Sequence, residues 1–301
     1  MKILITGANG LLGQKLVELL EQEPSVTTIA TGRGANRNNS GSYIYETMDI
    51  TDAEAVSHII QKHQPEAVIH TAAMTNVDQC EQEQAGCWKQ NVEAVQNLVS
   101  ACEQTSSFLL HLSTDFIFDG EEGPYDEEGT PNPISYYGES KLASEKILFD
   151  SSLNWSIART VLVYGIVQDM SRSNIILWVK ESLEDRKDIK VVNDQLRSPT
   201  LAEDLAMGCW LIVKNKAQGI FNIAGKDLLT PYDMACKTAE FFNLQTDTIQ
   251  EADGSIFTQP AKRPPKTGLI IDKAKEELGY NPRSFEEGIA IVSEQVAAAN
   301  N

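Results

Sequence analysis

Tyr137 and Lys141 stand four positions apart in the run Tyr137-Gly138-Glu139-Ser140-Lys141, so a helix there puts a phenol and an ammonium on one face. A free tyrosine titrates near pH about 10. A neighbouring cation stabilises the phenolate and draws that value towards neutrality, as a general acid requires. Such a pair is common on protein surfaces, so its place in the chain decides what it means. It follows an apolar run, Phe108 to Ser113, and a Ser113-Thr114 pair closes that run. If the run is a strand of a parallel sheet, the pair lies by the C-terminal edge, where ligands of such sheets bind.

A second set of residues suits phosphate chemistry. Gly7, Gly10 and Gly13 are spaced G-x-x-G-x-x-G between a β-rich run, Lys2 to Thr6, and a segment with helical spacing, Leu11 to Glu21. Glycine allows the tight turn and lets a pyrophosphate approach backbone N–H groups with no Cβ in the way. The dipole of the helix that follows favours the negative charge. The next strand ends Ala30-Thr31-Gly32-Arg33-Gly34, with Arg37 beyond and no carboxylate. An Asp or Glu there would bind a ribose 2′-hydroxyl and favour NAD, whereas Arg33 tolerates a 2′-phosphate and favours NADP(H). A solvated surface charge is the other role open to Arg33. Asp49-Ile50 suits an adenine contact, although a loop aspartate also serves as a helix cap.

These groups need a scaffold, and the hydrophobic pattern supplies one. Strands are expected at Lys2 to Thr6, Thr27 to Thr31, Ala67 to Thr71, Phe108 to Ser113 and Ser156 to Tyr164. Helices are expected between them: Leu11 to Glu21, Ala53 to Lys62 with Asp52 as N-cap, Ala85 to Gln104, and Ser135 to Phe149. Alternation of this kind means βαβ units and a Rossmann-type, doubly wound α/β fold with helices on both faces of a parallel sheet. The second half is less regular, with helices at Asn174 to Glu184, Thr200 to Val213, Pro231 to Phe242, Asp272 to Leu278 and Phe285 to Ala299, and strands at Ile189 to Asn193 and Gly219 to Ala224. The chain is expected to leave the sheet after Tyr164 and return at Phe221. That places a nucleotide-binding domain at 1–167 and 201–243, and a smaller, discontinuous α/β lobe at 168–200 and 244–301.

The chain has 301 residues, 42% of them hydrophobic, and a formal net charge of -18. So acidic a surface opposes unaided binding to nucleic acid or anionic lipid. No run approaches the roughly 20 apolar residues that span a bilayer. No secretory signal is read at the start. Five scattered cysteines without metal spacing suit free thiols in a reducing cytosol, and a cytoplasmic protein is expected. The acidic run Asp119 to Glu128 reads as a solvated loop more than a divalent-ion site, and no metal is expected.

Long ordered stretches resemble the extended short-chain dehydrogenase/reductases, and within them the dTDP-4-dehydrorhamnose reductases: TGANGLLG (6–13), HTAAMTNVDQCE (70–81), NVEAVQNL (91–98), STDFIFDG (113–120), YYGESKLASEK (136–146), VNDQLRSPT (192–200) and KRPPKTGLIIDKAKEELGY (262–280). The resemblance implies a catalytic trio of Thr114, Tyr137 and Lys141. Thr114 would hydrogen-bond a sugar carbonyl and Tyr137 would protonate its oxygen. Lys141 would lower the pKa of Tyr137 and hold the nicotinamide ribose. NADPH, with NADH also admitted, would deliver hydride to C4 of a nucleotide-activated 4-keto-6-deoxysugar. Asn9, Leu11 and Leu12 join the glycines as cofactor contacts, Ala72 and Ala73 line the cofactor, and Asn91 orders the neighbouring helix. Thr75, Val77, Asp115, Phe116 and Arg197 are the implied substrate contacts.

Related chemistries leave other marks. Nucleotide-sugar 4,6-dehydratases carry an Asp-Glu pair beside the threonine, and here Asp115 is followed by Phe116. Epimerases of the fucose-synthase kind add a Cys and a His, while His111 and Cys102 read as core residues. The chain also departs from the reductase pattern: Gln14 follows the third glycine, Leu162 stands where Trp is usual, and Ser144 replaces a glycine. The loop GANGLLG looks more like that of the regulatory β-subunit of methionine adenosyltransferase, a relative on the same scaffold. An NAD(P)-dependent epimerase and a non-catalytic NADP-binding subunit therefore stay open beside reduction. An anionic substrate needs cations in so acidic a chain, and Arg197, Lys262, Arg263 and Lys266 are the candidates. A homodimer is admitted as the assembly.

Overall fold

The computed structural model describes residues 1–38, 41–168 and 174–299. Residues 169–173, in the segment expected to begin the smaller lobe, and 300–301 lie outside the described residues, as do 39–40.

The first half alternates as expected: β1 (Lys2–Thr6), α1 (Leu11–Leu20), β2 (Thr27–Gly32), β3 (Ile44–Thr47), α2 (Ala53–His63), β4 (Ala67–His70), α3 (Val77–Gln82), α4 (Gln84–Trp88), α5 (Ala94–Thr105), β5 (Phe108–Thr114), α6 (Tyr136–Phe149) and β6 (Trp155–Thr160). Strand β3 was not anticipated. Its ends are exposed and its middle half-buried, as befits an edge strand paired only with β2, so it lacks the apolar run that marks a central strand. The expected helix Ala85 to Gln104 is instead α4 and α5 joined by a π-turn at Lys89–Glu93. Such turns often sit at functional positions, and this one carries Asn91. The expected strand Ser156 to Tyr164 breaks at Leu162, whose φ of 38 is left-handed. Beyond it, β7 (Val163–Tyr164) leaves the sheet.

Seven parallel strands run in the order β10-β6-β5-β4-β1-β2-β3. The winding reverses between β1 and β4, which opens a crevice at their C-terminal ends. Alternate side chains go to opposite faces. Ile3, Ile5, Ala67, Ile69 and Leu110 pack against Leu16 and Leu20 of α1. Leu4, Val68, Leu109 and Ile157 pack against α2 and α5 through Val56, Ile60, Val95 and Leu98. Both faces are covered, which is why these strands read as continuous apolar runs.

The second half comprises α7 (Ile175–Glu184), β8 (Ile189–Val192), β9 (Thr200–Leu201), α8 (Ala202–Asn215), β10 (Gly219–Asn222), α9 (Pro231–Phe241), β11 (Ile249–Ala252), α10 (Asp272–Leu278) and α11 (Phe285–Ala299). The chain does return to the sheet at Phe221, in β10 beside β6. The expected division needs two corrections. Helix α9 packs Ala235 and Ala239 on α7, β8 and β11, so it belongs with the small lobe. Helix α10 packs Ala274 and Leu278 into the core beneath α8, so it belongs with the large sheet. Both errors have one origin: which layer buries a helix is a long-range choice. No helix among the described residues is long and apolar enough to cross a membrane.

Candidate active site

The glycine turn follows β1. Gly7 has φ 72, and a Cβ on it would stand 2.8 Å from the nitrogen of Ala72. A Cβ on Gly13 would stand 2.2 Å from the carbonyl oxygen of Gly7, so only glycine lets α1 begin against the turn. Gly10 starts α1 without a side-chain cap, and no carboxylate occupies the first turn. The first bond of the helix runs from Gln14 N to Gly10 O at 3.0 Å. The N–H groups of Leu11, Leu12 and Gly13 therefore have no partner within the helix. A cradle of this shape, at the positive end of a helix dipole, fits a phosphate.

Asn9 serves the neighbouring loop. Its Nδ2 donates to Ala35 O (3.0 Å) and Tyr45 Oη (2.9 Å), and its Oδ1 accepts from Arg37 N (2.9 Å). These bonds hold the loop that presents the exposed Arg33 and Arg37 at the end of β2. Asp49 Oδ1 accepts from Thr51 N and Thr51 Oγ1, both 2.9 Å, which closes a turn before the Asp52 cap of α2. The carbonyl of Ile50 accepts from Asn97 Nδ2 at 3.1 Å. Gln14 is buried and donates to Asn9 O (3.2 Å) and Gln168 O (3.1 Å), tying the turn to the segment after β7. Ala72 and Ala73 lie half-buried past β4, with Ala72 against Gly7.

Ser135 caps α6, its Oγ accepting from Gly138 N at 3.3 Å. A Cβ on Gly138 would lie 2.1 Å from Phe116 O, so this glycine permits the approach of α6 to the end of β5. Tyr137 and Thr114 consequently meet at the sheet edge, where Thr114 Oγ1 donates to Asp115 Oδ1 at 3.1 Å and accepts from Phe116 N at 3.2 Å. The Phe116 ring stands edge-on to Tyr137 with centroids 5.8 Å apart. Burial drives the phenol's pKa upward, and the nearby Thr114 hydroxyl only partly opposes it. Burial outweighs the lowering expected from the ammonium of Lys141. Its Nζ donates to Leu112 O at 2.6 Å and approaches His111 Nε2 at 3.1 Å. Burial pulls Lys141 down to about 8. The phenol is therefore a stocked proton donor, with the ammonium one helix turn away.

Asn91 anchors these parts. Its Oδ1 accepts from Met74 N (2.8 Å), and its Nδ2 donates to Met74 O (3.1 Å) and Ser140 Oγ (3.0 Å). It thereby clamps α6 to the segment after β4. Thr75 is exposed in that segment, and Val77 packs beside Tyr137. Cys102 lies in the core as expected, whereas His111 is buried but touches Lys141.

Two expected substrate contacts are engaged by the protein itself. Asp115 is 2% exposed; its Oδ1 accepts from Thr114 Oγ1 at 3.1 Å, and its Oδ2 accepts from Thr267. Burial raises its pKa, with Arg197 opposing. Arg197 is likewise buried. Its guanidinium donates to Leu196 O (2.9 Å), Pro265 O (3.1 Å), Pro264 O (2.6 Å) and Gln195 Oε1 (3.2 Å). It braces the 264–265 loop. Arg263 makes a two-pronged pair with Asp78, at 3.0 and 2.6 Å. Only Lys262 and Lys266 of the four candidate cations are exposed. Thr267 and Asp78 lie in stretches that carry the resemblance, but their roles were not readable there, since each acts through a partner more than 150 residues away.

Several known proteins are similar to this chain. The β-subunit of methionine adenosyltransferase 2 from Bos taurus is 31% identical over 294 residues, covering 96% of this chain and 86% of that protein. A probable low-salt glycan biosynthesis reductase from Haloferax volcanii is 30% identical over 292 residues and covers 96% of both. The structure of dTDP-4-dehydrorhamnose reductase from Bacillus anthracis, in complex with NADP, superimposes with a TM-score of 0.84 at 26% identity, covering 98% of this chain and 99% of that one. The RmlD substrate binding domain family matches residues 1–298, and the chain belongs to that family.

Proposed function

We propose that the protein is an NADPH-dependent reductase of a nucleotide-activated 4-keto-6-deoxysugar, dTDP-linked by its resemblance. The observation that supports this reading is the meeting of Tyr137 and Thr114 at the sheet edge, with Lys141 one helix turn on and the glycine cradle alongside. Bound NADPH would supply hydride to the carbonyl carbon. Leu11, Leu12 and Gly13 would hold its pyrophosphate, Arg33 its 2′-phosphate, and Ala72 and Ala73 its flank. Asp49 and Ile50 would border the adenine. Tyr137, kept protonated by burial, gives its proton to the carbonyl oxygen as negative charge develops there. Thr114 orients that oxygen, and Lys141 stabilises the phenolate left behind. Thr75, Val77 and Phe116 line the sugar side, while Asp115 and Arg197 shape the cleft from within.

The test is loss of NADPH absorbance when purified protein meets dTDP-4-keto-rhamnose. Tyr137→Phe should lower turnover by roughly 10²–10⁴-fold and leave NADPH affinity unchanged. Activity only on other keto-sugars would overturn the substrate. Activity on none, with NADPH still bound and a partner enzyme co-purifying, would favour a regulatory subunit, the reading that the 294-residue match to the methionine adenosyltransferase β-subunit supports. An epimerase would convert a nucleotide sugar with no net use of NADPH.

A further inference from the structure

The face of the sheet beneath α6 changes character at its C-terminal end. One register level down it reads Leu4, Val68, Leu109; at the next level it reads Thr6, His70, His111 across β1, β4 and β5. All three polar side chains are buried. Thr6 Oγ1 lies 2.7 Å from His70 Nδ1. The His70 and His111 rings stack with centroids 5.3 Å apart at 21°. His111 Nε2 lies 3.1 Å from Lys141 Nζ and 2.9 Å from Ser144 Oγ. Three strands and one helix thus deliver a polar row to one ammonium.

The hydrogens can be assigned by elimination. An ammonium only donates, so with Lys141 charged His111 Nε2 must be a lone pair. Ser144 Oγ gives its proton to Lys141 O at 2.7 Å and leaves that lone pair to the ammonium. The ring proton then sits on His111 Nδ1, which is buried with no partner among the described residues. An orphaned N–H is an uncommon arrangement, and it persists here only while Lys141 needs an acceptor. Were Lys141 neutral, the proton would move to Nε2 and donate to Ser144 Oγ. Both rings stay uncharged, since burial holds His70 down to about 3 and His111 well below its usual value.

We propose that His111 is a positioning residue for Lys141, its Nε2 lone pair fixing the ammonium against the Leu112 carbonyl and helping to keep it charged. The stacked His70 holds the ring in place. This rests on the catalytic reading of Lys141 above. The other ionisable groups around Lys141 are Tyr137 and Glu145 on α6, Cys87 on α4 and His70 on β4.

Two measurements test it. Long-range ¹H–¹⁵N spectra of the full chain, with its four histidines labelled, report the tautomer without any turnover. At neutral pH, His111 should show an unprotonated Nε2, and Lys141→Met should move the proton onto it. A protonated Nε2 in the wild type, or spectra indifferent to Lys141→Met, would sink the proposal whatever the enzyme reduces. The second is kcat/KM for NADPH against pH, with dTDP-4-keto-rhamnose as the oxidant. His111→Leu should draw the alkaline limb down by about one pH unit, and His111→Gln, which keeps an acceptor, should restore it. Ser144→Ala, which removes the acceptor of the competing Nε2–H form, should shift the limb slightly upward, and it is read in place of His111→Leu if that variant fails to fold. An unmoved limb in folded variants overturns the proposal. Full activity in Lys141→Met would instead overturn the catalytic reading on which it stands.

Discussion

The two sides of the cleft treat negative charge in opposite ways. The glycine turn would face it with the free backbone N–H groups at the start of α1. The 195–197 and 260–267 segments hold arginines, yet Arg197 is spent on loop carbonyls and Arg263 on Asp78. In a protein of net charge -18, the proposed phosphate cradle thus relies on backbone N–H groups. The arginines, meanwhile, act first as braces. A glycine's effect follows from local backbone geometry, whereas an arginine's follows from whichever acceptors the fold brings within reach.

Substitutions on each side should separate these two modes. Gly13→Ala should have the largest effect. Its methyl would enter the space of Gly7 O, and the forced shift of α1 should cost about 1–3 kcal/mol or more and abolish measurable NADPH binding in a calorimetric titration. Retained binding would mean that the turn is not the cradle. Arg197→Met comes next. It strips several buried acceptors of their donor, and chemical denaturation should show a loss of about 3 kcal/mol. Arg263→Met breaks a partly exposed pair and should cost about 1 kcal/mol or less. Equal losses would erase the distinction between brace and surface pair. Arg33→Ala should be mildest for the fold while raising the Kd for NADPH roughly tenfold, the value of one charge-assisted bond, and leaving NADH untouched. Equal changes for both cofactors would remove Arg33 from 2′-phosphate recognition.

Much of this was legible without coordinates. The βαβ alternation and the glycine turn rest on short-range rules, and the return of the chain to the sheet at Phe221 was marked by a clear apolar run. Tyr137 and Lys141 stood out by their spacing after a strand with Ser113-Thr114 at its end, and the resemblance implied the trio with Thr114. The edge strand β3, the π-turn at Asn91 and the break at Leu162 were not visible, since none interrupts the hydrophobic pattern. His111 read as a core residue, which its burial supports; nothing local revealed that its nitrogen meets Lys141.

Periodicity, turn chemistry and the four-residue spacing are properties of neighbouring residues, so the chain alone specifies a dinucleotide-type sheet with a phenol and an ammonium at its edge. Where that ammonium points, which arginines remain free, and which layer takes α9 and α10 are different in kind. Each depends on partners tens to hundreds of residues distant, chosen by burial: a buried charge must find acceptors, and Leu112 O, His111 and the 264–265 carbonyls are assembled only when the strands and loops pack.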